Sequence, residues 1–272
     1  MKGRILSLQL FGTADVRENV RKALRYIEEA CRTQHPDLVL LPEVYLSSPV
    51  YPTSLAADSP EIEELKEAAR AYGIYLVFGY TERIPASHPD HALRPDGKGE
   101  KGWNSVMVIA PDGQVLRNYH KTHMYDAFRF KESDSLVAGD ALFEPFDTPF
   151  GRIGLFTCYE VRFPEIARYE KSRGADIILM PTAWQPGKLK SLHFNTLIKA
   201  RAIENTAYLI ACDQCGKAGI GESLSVDPMG VVLAAAGEDE QAILAEVDME
   251  RVREVSNALP SWENKRTELY KV

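Results

Sequence analysis

The chain is punctuated by short, unbroken apolar runs. Asp37-Leu-Val-Leu-Leu41, Ile74-Tyr-Leu-Val-Phe78, Arg152-Ile-Gly-Leu-Phe-Thr157, Asp176-Ile-Ile-Leu-Met180 and Ala207-Tyr-Leu-Ile-Ala211 share this form. They are short for helices and lack the alternation of half-exposed strands, so they predict strands buried on both faces, which require covering layers. Between them lie segments with helical spacing. Val16, Val20, Leu24 and Ile27 follow Asp15 and Glu18, a plausible capping pair. Further helices are predicted over Glu61 to Tyr72, ending at Gly73, over Phe163 to Arg173, ending at Gly174, and over Ser191 to Glu204. Arg4 to Phe11 reads as a first strand, and Trp103 to Ala110 with Gln114 to Tyr119 as a hairpin around Pro111-Asp112-Gly113. Ser223 to Val226, Val231 to Ala235 and Ala242 to Val247 complete the strands. That number exceeds what one flat sheet packs easily, so a two-sheet core with helices outside is expected, in one domain spanning 1–272. The stretch Arg83 to Gly102, rich in Pro, His, Gly and charge, is expected to be an excursion at the mouth of a site.

Composition narrows the function classes. Of 272 residues, 45% are hydrophobic and 26% charged, which suits a globular domain with a sizeable core. The formal net charge of -7, with no offsetting Lys/Arg cluster, argues against nucleic-acid and anionic-membrane partners and favours a small-molecule partner. The N-terminal segment is too short and too polar, at Ser7 and Gln9, for a signal peptide, and no apolar stretch reaches the ~18 residues of a membrane span, so a cytoplasmic location is expected. Cys31, Cys158, Cys212 and Cys215 are too few for a disulfide scaffold and should be free thiols. Cys212-Asp-Gln-Cys215 raises a redox pair or half a zinc site, but it follows a strand rather than opening a helix, which favours a structural reading.

Three apolar runs end in reactive groups. Leu41 delivers Pro42-Glu43, the strand after Gln114 leads to Lys121, and Thr157 gives way to Cys158. A thiol of ordinary pKa is a few per cent thiolate at neutral pH, so a nucleophilic Cys158 needs a base or a positive field, which the backbone N–H groups of a following helix could help supply. Glu43, thrust out at a strand end, is the candidate base. Singly, each residue has a plain alternative: an inert buried cysteine, a solvated loop glutamate, a surface lysine.

Together the residues resemble the nitrilase superfamily of carbon-nitrogen hydrolases, from Arg4 to about Tyr270. Leu40-Leu-Pro-Glu43 is similar to its base motif, Tyr119-His-Lys-Thr-His-Met-Tyr125 to its lysine motif, and Thr157-Cys-Tyr-Glu-Val-Arg-Phe-Pro-Glu165 to its nucleophile motif. The resemblance implies an α/β four-layer α-β-β-α sandwich, a homodimer or larger homo-oligomer involving the segment after Phe163 and the C-terminal tail, and no metal or organic cofactor. It implies that Glu43 moves the proton of Cys158 to the departing amine, that Lys121 and the backbone N–H of Tyr159 stabilise an oxyanion, and that Glu132 orients Lys121 or the substrate amide. One departure is Glu160, where the superfamily commonly has aspartate.

Tyr125-Asp-Ala-Phe128, Pro181-Thr-Ala-Trp184, Lys199-Ala-Arg-Ala-Ile-Glu-Asn205 and Gly221-Glu-Ser-Leu-Ser-Val-Asp-Pro228 resemble the branch of deaminated glutathione amidases and ω-amidases. That branch implies hydrolysis of the terminal amide of a small carboxylate-bearing substrate to acid and ammonia through a thioester. Arg162 is the candidate carboxylate anchor, or else an ion-pair partner of Glu160 or Glu165. Trp184 is a candidate pocket wall, core residue or dimer contact, and His193-Phe194 is read as packing. The alternatives are an N-carbamoyl amine or simple aliphatic amide hydrolase, a non-catalytic binding protein, and a Cys212/Cys215 redox or zinc protein.

Overall fold

The computed structural model describes residues 1–47 and 53–269. Tyr270, the last residue of the tail considered above, lies outside them. In chain order the elements are β1 (Lys2–Gln9), α1 (Val16–Thr33), β2 (Leu38–Leu40), α2 (Pro60–Tyr72), β3 (Tyr75–Arg83), β4 (Gly102–Ile109), β5 (Val115–His120), β6 (Asp126–Ala127), β7 (Phe130–Lys131) and β8 (Leu136–Val137). The second half comprises β9 (Phe146–Thr148), β10 (Gly151–Leu155), α3 (Pro164–Ser172), β11 (Ile177–Thr182), α4 (Lys190–Asn205), β12 (Tyr208–Asp213), β13 (Leu224–Val226), β14 (Val232–Ala235), β15 (Gln241–Asp248) and α5 (Met249–Ala258).

Two sheets form, ordered β15-β1-β2-β3-β4-β5, with β8 beside β4, and β14-β13-β12-β11-β10-β9. In each, three parallel strands (β1-β2-β3 and β10-β11-β12) are extended by antiparallel neighbours. Side-chain alternation then distributes the apolar runs between layers. Leu38 and Leu40 face the core between the sheets, with Ile153, Leu155, Ile177, Leu179 and Ile210, while Val39 and Leu41 face α1 and α2. On the second sheet, Ile178, Met180, Leu209 and Ala211 face the side chains of Ile166 in α3 and Phe194 and Ile198 in α4. The runs are continuous because both faces of each central strand are covered, and the result is the expected α-β-β-α sandwich.

Helix ends follow local chemistry. Asp15 caps α1 by accepting the Glu18 N–H at 3.1 Å, and Gly73 closes α2 in a left-handed conformation at φ +64°. The sequence reading passed over α5, although Asp248 caps it through the Glu250 N–H and Val252 and Val255 bury its inner side. It also passed over the two-residue hairpin β6–β7, whose turn at Phe128 and Arg129 has positive φ without glycine. The tail returns to its own chain, where Arg168 of α3 lies 5.6 Å from the Trp262 ring centre.

The excursion between Arg83 and Gly102 does not line the cavity beside Cys158, contrary to expectation. It folds on itself through a Leu93–Glu100 bridge and rests on Trp103 through His88, so its backbone groups are turned to one another. The segment that does reach that cavity contains Tyr125, at the base of the β6–β7 hairpin.

Candidate active site

The site forms where strands of both sheets end. Past β2 the chain stays beside β3, with the Gly79 N–H donating to Pro42 O at 3.1 Å, and turns so that Glu43 is buried. A Cβ on Gly79 would stand 2.4 Å from Val44 N and 2.7 Å from Glu43 Cα, so only glycine admits this approach. Past β5, Lys121 is anchored by its own backbone, its N–H donating to Asn104 O and its carbonyl accepting from Gly139 N–H.

The buried Lys121 ammonium donates to Glu43 Oε1 at 2.9 Å and to Glu132 Oε1 and Oε2 at 3.1 and 2.9 Å. Asn104 Nδ2 donates to the same two acids, at 2.7 Å to Glu43 Oε1 and 3.0 Å to Glu132 Oε1. The second Glu43 oxygen accepts the Ala183 N–H at 2.8 Å, and Glu132 Oε2 accepts the Tyr125 N–H at 2.6 Å. One lysine between two carboxylates leaves a net negative charge in the cluster, which the Asn104, Ala183 and Tyr125 donors solvate.

Cys158 follows β10 and opens a 3-10 turn over Cys158–Arg162 with φ +48°, a left-handed conformation that costs a non-glycine residue energy and turns its side chain from the sheet into the site. Burial pushes the thiol above its ordinary pKa, the Glu43 charge adds to this, and Lys121, the Thr182 hydroxyl and the Ala183 N–H oppose it. The Ala183 whose N–H holds Glu43 Oε2 lines the same cavity as Cys158. Glu160 shapes the turn. Its Oε1 accepts the Tyr119 hydroxyl at 2.7 Å and the Thr122 N–H and hydroxyl at 2.9 and 2.7 Å, while Oε2 accepts the Thr157 N–H at 2.7 Å. Burial would raise this carboxyl, yet the His123, Thr157, Thr122 and Tyr119 hydrogen bonds hold it below its ordinary value. It therefore ties the lysine segment to the nucleophile turn.

The cavity at Cys158 is lined by Tyr125, Tyr159, Arg162, Ala183, Trp184, Gln185 and Lys190. Tyr159, the expected oxyanion donor, shares the Cys158 turn and meets Tyr125 edge-on at 5.1 Å. Arg162 makes neither ion pair considered from the sequence: the Glu160 oxygens are occupied, Nε and Nη2 of Arg162 lack hydrogen-bond partners, and its guanidinium lies 4.8 Å from the Trp184 ring centre. Trp184 is cavity wall and core at once, buried against Phe194 with its N–H donated to Lys190 O at 3.0 Å. Asp213 fixes the turn before it by accepting the Trp184 N–H at 2.7 Å. His193 is only half-buried and its Nδ1 lacks a partner, so it is less enclosed than a packing residue was expected to be.

Sequence reasoning missed Asn104 and Lys190. Asn104 carried a signal, a fully polar side chain inside the apolar run of β4; Lys190, one of two lysines flanking Leu189, carried none. The Cys212 thiol, by contrast, is spent on structure: Sγ lies 3.3 Å from both Leu8 O and Leu40 O between the sheets, and burial raises the Cys212 and Cys215 thiols.

Comparison with known proteins places these features. The carbon-nitrogen hydrolase family model matches residues 4–257. Omega-amidase NIT2 of Homo sapiens is 31% identical over 99% of this chain and 97% of its own length. The deaminated glutathione amidase of Escherichia coli O157:H7 is 42% identical over a shorter stretch, 61% of this chain and 63% of that protein. The crystal structure of a carbon-nitrogen hydrolase from Helicobacter pylori G27 superposes with a TM-score of 0.86 at 24% identity, covering 99% of this chain and 97% of that one, which shows a shared fold. The chain belongs to the carbon-nitrogen hydrolase family.

Proposed function

We propose that this protein is a cysteine-dependent amidase acting on a small amide that bears a carboxylate several bonds from the scissile group. The observation that carries the reading is the buried Glu43–Lys121–Glu132 cluster, tied through the Ala183 N–H to the cavity that Cys158 lines from its left-handed turn. Relatives named omega-amidase and deaminated glutathione amidase support the substrate class.

The geometry supports two half-reactions. Glu43 takes the Cys158 proton as Sγ bonds to the amide carbon, and the developing oxyanion is stabilised by the Lys121 charge and the Tyr159 N–H. The tetrahedral species collapses, breaking the C–N bond as Glu43 passes its proton to the departing nitrogen and leaving a thioester on Cys158. Water then gives Glu43 a proton while bonding to the acyl carbon, the C–S bond breaks, and the proton returns to sulfur. Glu132 and Asn104 hold Lys121 and Glu43 in register throughout. Arg162 takes the distal carboxylate, its two unpartnered donors forming a fork suited to that group.

The test is a panel of glutaramate, deaminated glutathione, an N-carbamoyl amine and a nitrile, scored for acid together with amine or ammonia. Turnover of either carboxylate-bearing amide that disappears in Cys158→Ala is expected; turnover of both unchanged by that substitution contradicts the reading. We further propose a cytoplasmic homodimer. The free thiols among the described residues suit a reducing compartment, no helix among them is long and apolar enough to cross a membrane, and exposed Ile203, Met229, Val231 and Leu233 offer a surface for a second copy to cover.

A further inference from the structure

The cavity beside Cys158 contains a second cation that the amidase reading does not use. Lys190, at the start of α4, is only 6% exposed, and its ammonium has no carboxylate partner among the described residues. Nζ donates to the Tyr125 hydroxyl at 2.7 Å and lies 4.7, 4.7 and 5.4 Å from the ring centres of Tyr125, Phe128 and Trp184. An uncompensated buried ammonium is costly to fold, and ring faces offset only part of that cost. A lysine at a helix start can put its head in water with no loss of packing. Instead Lys190 folds inward against Phe128, a residue itself 70% exposed at the hairpin tip.

The position of Lys190 is informative. It borders the inner cavity with Arg162 and also an outer groove formed with Phe128, Phe130, Pro186 and Lys188. The two cations without carboxylate partners among the described residues, both beside Trp184, border the cavity at the nucleophile, and only Lys190 also borders the outer groove. One carboxylate satisfies Arg162; a second acceptor is needed to compensate Lys190.

We infer that Lys190 is a specificity-determining residue that binds a second carboxylate, so that the preferred substrates are elongated dianionic amides. The inference rests on the amidase reading for the chemistry, but its ligand class is set by the two cations. The Tyr125 hydroxyl orients the ammonium, and the Phe128 ring limits water around it.

The test compares glutaramate with a branched glutaramate carrying a second carboxylate on a two-carbon arm. In the wild-type protein kcat/KM for the branched amide is expected to exceed that for glutaramate about tenfold or more. Lys190→Met, which keeps most of the stem and removes the charge, should bring the ratio near one, mainly through KM for the branched amide, and Lys190→Arg should restore most of it. A ratio that survives Lys190→Met, or is never above one in the wild type, overturns the inference. If neither amide is turned over, the amidase reading fails separately, and calorimetry on the Cys158→Ala protein decides the inference. The branched product acid should then bind more tightly than glutarate with Lys190 present and equally with Lys190→Met; equal binding in both overturns it.

Discussion

The backbone N–H of Ala183 donates to Glu43 Oε2 at 2.8 Å, a bond that joins the end of β11 in one sheet to the turn after β2 in the other. The acid therefore registers the two halves of the molecule, and its charge acts on the Cys158 thiol. Glu43→Gln keeps the volume and an acceptor for Ala183 while removing the proposed base. It is expected to lower kcat by ~10²–10⁴-fold. Because the Glu43 charge raises the Cys158 thiol pKa, the same substitution should move the pH midpoint for Cys158 alkylation downward. Iodoacetamide labelling followed by mass spectrometry across pH measures this; an unchanged or higher midpoint contradicts the assigned electrostatics.

Gly79 lies on β3, away from the reacting atoms, yet a Cβ there collides with the backbone of Val44 and Glu43. Gly79→Ala should cost roughly 1–3 kcal/mol through overpacking. It should also depress kcat beyond what lost folded protein explains, because the collision displaces Glu43. Chemical denaturation and active-site titration on the same sample separate the two effects; a fully active Gly79→Ala protein would show that the turn has slack.

Much of this was legible because the strands are buried on both faces. Unbroken runs such as Asp37–Leu41 and Asp176–Met180 marked the sheet centres, and the residues singled out just past three strands are ones the fold brings near one another, Glu43 paired with Lys121 and both charges acting on the Cys158 thiol. The β6–β7 hairpin was not legible, since its positive φ values fall on Phe128 and Arg129 where turn chemistry would suggest glycine or asparagine. Nor was the partner of Glu160, because the Tyr119 hydroxyl meets it across sequence-distant segments. Arg162 was readable as a cation near the nucleophile, but its freedom from Glu165 depends on the turn geometry, which spacing does not encode.

Glu160 gives a pH-dependent stability prediction. Its folded pKa lies below the ordinary 4.5, so its stabilisation is fully present above that value and is lost as pH falls through the folded pKa. Glu160→Gln turns an N–H₂ group toward donors and should destabilise the protein by about 2–4 kcal/mol at neutral pH. The difference from wild type should shrink below pH ~4.5. Denaturant melts at several pH values measure it; a gap constant down to acid unfolding contradicts the ionised assignment.

Glu170, buried in α3, has the opposite sign. Burial raises its carboxyl from 4.5 to about 9, outweighing the Leu155 N–H nearby, so the folded state holds a proton that the unfolded chain releases. Stability from this group is intact below 4.5 and is progressively lost as pH rises toward about 9. Glu170→Gln should therefore stabilise the protein by an increment that grows between pH 5 and 8, reaching on the order of a few kcal/mol. An increment that does not change over this range contradicts a neutral Glu170.

The most direct test of the central claim is the intact mass of the enzyme quenched in acid during turnover of glutaramate. A covalent acyl species one glutaryl group heavier, mapped by peptide digestion to Cys158 and absent from Cys158→Ala, is the expected result. Continued product formation by Cys158→Ala at the wild-type rate, with no acyl species on either protein, would contradict the account.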